Sequence, residues 1–233
     1  ASQILFNEDL ATYQSSKYAS AKWDAHVKAG LEAFHTGNYD VAQNNLYKAF
    51  NSGCESPIVL FQLALINEYQ KSFYSALEFY QMAKKGFESS HKNHRYHLEF
   101  YENYGRALYY SGKIAEALPI LSKASKATKS FWLLKLLGMI AYEQGDTLNA
   151  TSYFERAVRI QSSDVTREEL IYIYGLLAKL FLVKGETDGA YRYYVKVLEL
   201  DPNNQDARAY TKKINNSYQK NSTLQVLEQL KEF

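Results

Sequence analysis

Small and large apolar positions recur along this chain with a helical stride. Ala42, Ala76, Ala117, Ala150 and Ala190 are each followed four residues on by a large apolar side chain: Leu46, Tyr80, Leu121, Phe154 or Tyr194. Seven residues on stands Ala49, Ala83, Ala124, Ala157 or Val197. That spacing puts three residues on one face of a helix. The alanines lie 34, 41, 33 and 40 residues apart, and a period near 34 predicts an array of helical repeats. Five positions before each alanine sits Gly37, Lys71, Gly112, Gly145 or Gly185. Glycine there is expected to take a left-handed conformation and close a tight turn. Lys71 breaks the rule, so its turn is expected to close differently.

With each alanine at position 20, five units follow: 23–56, 57–90, 98–130, 131–164 and 171–204. Each reads as helix, tight turn, helix. Position 8 is small throughout (Gly30, Ala64, Gly105, Gly138, Ala178). An interior helical glycine costs about 1 kcal/mol relative to alanine, so its repetition predicts close approach of the second helix. Position 24 then fills the groove between ridges. Insertions near 86–97 and 161–168 are expected to lengthen helices or add a short loop. Thr166–Glu169 reads as a capping box that starts a helix, and Pro119 is expected to bend its helix. Residues 1–22 read as an N-terminal segment or short capping helix, with Leu5, Phe6, Leu10 and Tyr13 on an amphipathic stretch over 5–18. In 205–233 a polar capping helix to about Tyr218 is expected. A short amphipathic helix would follow from an N-cap at Ser222, with Leu224, Leu227 and Leu230 on one stripe.

The stretches GNYDVAQNNLYKA, KSFYSALEFYQMA, GKIAEALPILSKA, GDTLNATSYFERA and GETDGAYRYYVKVLELDPNN resemble the tetratricopeptide repeat (TPR) family across 23–204. The family's terminal proline appears only at Pro202, and its early tryptophan is replaced by His26, Leu60, Tyr101, Leu134 and Tyr174. The resemblance implies an all-α fold: a right-handed α-α superhelical solenoid of five helix-turn-helix repeats with extra terminal helices.

Charge and chemistry narrow the function. Lys plus Arg number 27 and Asp plus Glu 25, a net charge of +2, which argues against nucleic acid as the partner. The lysines at 123, 126, 129 and 135 read as a solvated face. Tyrosine reaches 21 residues, a side chain suited to half-buried faces and interfaces. A single cysteine, Cys54, excludes an internal disulfide and reads as a packing residue. No apolar run approaches the roughly 20 residues of a spanning helix, so no direct membrane insertion is expected. The chain begins with Ala1, not Met, which leaves room for a removed targeting or anchoring segment, and localisation is unassigned. Spacings for phosphate-binding loops, zinc hydrolases or nucleophile elbows are missing, so neither catalysis nor a cofactor is expected. His91, His94 and His97 stand at helical spacing as a weak metal candidate; a solvated basic helix start is the plainer reading.

The TPR resemblance implies that the first helices line a concave face through positions 2, 5, 9, 12 and 13. Those positions give Arg106, Tyr109 and Tyr110 in the third unit, Trp132, Lys135, Met139 and Tyr142 in the fourth, and Tyr172 in the fifth. Aromatic anchors with basic neighbours have the composition of an interface hot spot. The expectation is a non-enzymatic adaptor or scaffold that holds a protein or peptide, extended or as an amphipathic helix. A structural alternative is self-assembly into a homo-oligomer through the terminal helices; another is the interaction domain of a larger membrane-anchored protein. The family's carboxylate clamp does not carry over. Val27, Leu31, Gln62, Glu99 and Asn103 stand where its Lys, Asn, Asn, Lys and Arg belong.

Overall fold

The computed structural model describes residues 2–89, 96–127 and 129–231, without the side chains of 97, 98, 127 and 223–231. Contacts gather the chain into two compact units, Ala1–Thr128 and Lys129–Phe233. The first holds α1 (Ser2–Gln14), α2 (Asp24–His35), α3 (Tyr39–Asn51), α4 (Pro57–Tyr69), α5 (Phe73–Ser89), α6 (Tyr96–Tyr110) and α7 (Ile114–Ala127). The second holds α8 (Phe131–Glu143), α9 (Thr147–Ala157), α10 (Arg167–Val183), α11 (Thr187–Leu200) and α12 (Gln205–Lys231). The described residues are helical with short connections, and contain no strand.

Helices pair as hairpins: α2 with α3, α4 with α5, α6 with α7, α8 with α9, and α10 with α11. The alanines at 42, 76, 117, 150 and 190 are all fully buried. Position 8 meets position 24 as the spacing requires. A Cβ added to Gly30 would lie 2.5 Å from Leu46 Cδ2, and one on Gly138 2.5 Å from Phe154 Cε1. At Gly105 the side chain met would be Leu121. In unit 2, Phe154 packs in a core with Leu134, Ile173 and Leu177, and Tyr194 packs with Ala178, Val197 and Ala207.

All five hairpin turns close alike. Gly37, Gly112, Gly145 and Gly185 have φ between 73 and 79°. Lys71 joins them at φ 62°, so its turn does not close differently. The amide after each turn residue donates back to the last turn of the first helix: Asn38 to Ala33 at 2.9 Å, Ser72 to Asn67 at 2.8 Å, Lys113 to Leu108 at 2.9 Å. Such back-bonding satisfies carbonyls that a helix end leaves orphaned. The lysine accepts a left-handed backbone because these bonds and the packed hairpin hold it there.

The insertions lengthen helices. α5 and α10 are 17 residues each, against 13 for α3 and α8. Thr166 caps α10, accepting from the Glu169 amide at 3.2 Å. Helix α7 continues through Pro119. At the C-terminus α12 runs unbroken for 27 residues, so Ser222 lies within a helix and starts no new one. The side chains of Leu224, Leu227 and Leu230 lie outside the described residues. At the N-terminus, α1 spans 2–14 and not 5–18. Its buried stripe is Phe6, Asp9 and Tyr13, while Leu5 is 36% exposed.

Candidate functional site

Helix α1 docks on part of the first-helix face of unit 1 through Asp9. Val27, Leu31, Ile58 and Phe61, at positions 5, 9, 2 and 5 of the first two units, are fully buried. Asp9, with no exposed surface, accepts hydrogen bonds from His35 Nε2 at 2.6 Å, Gln62 Nε2 at 3.3 Å and the Tyr96 hydroxyl at 2.7 Å. Those donors come from α2, α4 and α6, the first helices of three hairpins. The Tyr13 hydroxyl donates to Asp24 Oδ1 at 2.5 Å. Burial, then the Asp24 carboxylate beside it, pushes the Tyr13 phenol above its ordinary range.

Farther along unit 1, the Arg106 guanidinium is committed to an internal network. It donates through Nη2 at 3.0 Å and Nε at 3.2 Å to Glu68 Oε1, and through Nη2 to Asn103 Oδ1 at 2.7 Å. The fully buried Tyr80 donates to the other Glu68 oxygen at 2.6 Å. Desolvation raises the Tyr80 phenol well above its usual range, and the Glu68 charge adds to the effect. Tyr109 and Tyr110 meet edge to face with ring centres 5.2 Å apart, and Tyr110 is 69% exposed.

Unit 2 brings most of its expected residues together. Trp132, Lys135 and Met139 lie along α8, and Tyr172 reaches them from α10. The Lys135 ammonium pairs with Glu169 and sits 5.2 Å from the Trp132 ring centre and 5.8 Å from that of Tyr172. Both distances fall in the range of cation–π attraction. The Tyr172 hydroxyl points at Met139 Sδ at 3.7 Å. The Trp132 indole N–H donates to Asp164 Oδ2 at 2.7 Å. Hydrogen bonds from Ser162 and then Trp132 hold the Asp164 carboxyl below its ordinary range. Tyr142, three residues beyond Met139 on α8, occupies the next turn of the same helix face. Trp132, Tyr142 and Tyr172 keep 38, 39 and 47% of their surface exposed. Packed rings with open faces, a neutralised cation between them and hydrogen-bonded edges make a rigid surface with spare apolar area.

Sequence reasoning missed the acids. Asp164 lies in the second insertion. Glu169 had been assigned to a capping box, yet its carboxylate turns to Lys135 and only its amide serves the cap. Asp9 gave no signal, because a lone carboxylate on an otherwise amphipathic segment reads as solvated. The lysine run is not a uniform solvated face: Lys123 donates to the Tyr101 hydroxyl at 2.9 Å and lies over its ring, and Lys135 is paired. Cys54 is buried. His91, His94 and the His97 side chain lie outside the described residues. Among the described residues no group of three or more His, Cys, Asp or Glu is placed to hold a metal ion. Nor is any helix there long and apolar enough to cross a membrane.

Family models for the tetratricopeptide repeat match residues 104–165 and 171–204. No curated protein matches the sequence. Among solved structures, one described as an APC/C hetero-tetramer Cut9-Hcn1 aligns at 14% identity over 94% of this chain, with TM-score 0.52; this chain spans 40% of that one. PilF of Pseudomonas aeruginosa aligns at 15% identity, covering 93% of this chain and 97% of its own, with TM-score 0.61. YrrB, described as a TPR protein with an unusual peptide-binding site, aligns at 12% identity over 89% of this chain and 97% of its own, with TM-score 0.64. Identities this low speak to the fold alone.

Proposed function

The chain is a tetratricopeptide-repeat solenoid, and from that premise we propose that it is a non-enzymatic adaptor that holds a protein partner on the first-helix face of unit 2. The observation that carries this reading is the ring cluster of Trp132 and Tyr172 around Lys135, with both residues more than a third exposed. Aromatic anchors preset in their bound geometry lose little entropy when a ligand covers them. Tyr142 and Met139 extend the surface along α8. An extended peptide or an amphipathic helix is the matching ligand class, and the fold is shared with YrrB, described as a TPR protein with an unusual peptide-binding site. In unit 1, Tyr109 and Tyr110 are secondary contact candidates. Arg106 belongs to the internal network with Glu68 and positions its neighbours.

The test is affinity purification from the native cell with the wild-type chain and with a chain carrying Trp132→Ala and Tyr142→Ala. A specific partner should co-purify with the first and be lost from the second. Retention of that partner by a folded double variant would place the binding surface elsewhere.

A further inference from the structure

Helix α1 sits on unit 1 with features that a simple cover does not need. Covering the end of a repeat array requires apolar area. Phe6 and Tyr13 supply it, 7% and 0% exposed. Between them, at i+3, α1 inserts a carboxylate with no exposed surface. A buried charge is costly unless paired and hydrogen-bonded. Here His35, Gln62 and Tyr96, from three different helices, converge on it. Such a contact fixes which residue docks and in what register.

Three further observations separate α1 from the body it covers. At 13 residues it is near the limit below which an isolated helix is marginal in water, so its helicity depends on docking. Residues 15–23, outside any α-helix, join it to α2. The socket is also not fully matched: Gln62 Oε1 is buried with no hydrogen-bond partner.

We propose that the first-helix face of unit 1 is a helix-binding site keyed to a side-chain carboxylate, and that α1 is its tethered, exchangeable occupant. The second ligand is a partner's amphipathic helix of the same chemistry: an acidic residue with an aromatic three positions before it and another four after it. The site reads a carboxylate on the flank of a helix through imidazole, amide and phenol donors. It differs in this from a lysine- and arginine-lined clamp for chain ends. Because α1 is tethered, its effective concentration is high, and a partner's apparent affinity falls by the fraction of molecules with the site open.

The probe is a fluorescein-labelled synthetic peptide of residues 1–18, read by anisotropy against full-length protein. The full-length Asp9→Ala variant, whose own α1 has lost its key, should bind this peptide at least about tenfold more tightly than wild type does, since the open fraction rises. A peptide carrying Asp9→Ala should not bind. Phe6→Ala in the full-length chain serves as a second release variant, and thermal melts identify either variant that fails to fold. Equal affinity of the wild-type and release variants for the peptide, or binding indifferent to the peptide's own Asp9, overturns the proposal. Adding Trp132→Ala and Tyr142→Ala to a release variant should leave peptide affinity unchanged, so the two surfaces succeed or fail separately.

Discussion

Replacing Gly138 by alanine should destabilise unit 2 although alanine is the better helix former. The new Cβ would lie 2.5 Å from Phe154 Cε1, 2.6 Å from Cδ1 and 3.0 Å from Cζ. Phe154 cannot swing clear, because it is fully buried in the core with Leu134, Ile173 and Leu177. Overpacking of this kind costs about 1–3 kcal/mol, and the improved helix propensity offsets about 1 kcal/mol. The net expectation is a loss of about 0–2 kcal/mol. Gly175, on α10 of the same unit, is the internal control. A Cβ there meets nothing within 4 Å, so Gly175→Ala should gain up to about 1 kcal/mol. For a chain of this length, 1 kcal/mol shifts Tm by about 2–4 °C, which separates the two variants by several degrees. Urea titrations should show the same order at an unchanged slope. A Gly138→Ala protein as stable as Gly175→Ala would refute the argument that position 8 is small to admit position 24.

Further predictions rest on the turns, the polar network and the buried thiol. Lys71→Gly should stabilise by about 0.5–1 kcal/mol: a left-handed non-glycine residue costs about 1–2 kcal/mol, and glycine returns part of that as unfolded-state entropy. Denaturant midpoints will show it. Glu68→Ala removes the acceptor of both Tyr80 and Arg106 and should cost about 1–3 kcal/mol; a double-mutant cycle with Tyr80→Phe should recover a coupling of about 1 kcal/mol. Burial pushes the Cys54 thiol from 9.0 up to about 11, and it raises the Tyr80 phenol in the same sense. The unfolded chain then releases these protons first, so the folded state holds more of them and stability falls as pH rises from about 9 towards 11. Urea midpoints at stepped pH should show that decline, and Cys54→Ala should flatten part of it.

The repeat core was legible because its contacts are local and redundant. Gly30 meets Leu46, Gly138 meets Phe154, and the same small and large positions recur in every hairpin. The turn at Lys71 was misread because its chemistry departs from the glycine rule while its hydrogen bonds do not. Part of the candidate site was also legible. Trp132, Lys135, Met139 and Tyr172 came from the repeat phase and are brought together. Their acidic partners were hidden, since Glu169 satisfies a capping pattern whether or not its carboxylate does the capping. Arg106 read as a groove residue, and its internal partner was hidden because Glu68 lies 38 residues away.

By itself, the amino-acid sequence determined the hairpins. A stride of 3.6 residues, small residues at fixed phase and one turn residue per unit specify each helix pair through contacts local in the sequence. Only the tertiary structure decided what covers the first-helix face of unit 1. The donors to Asp9 lie 26, 53 and 87 residues along the chain, and Tyr96 comes from the stretch that interrupts the repeat. No periodicity can announce such a contact. The carboxylate is tolerated in the core only because the folded hairpins bring three donors to one point.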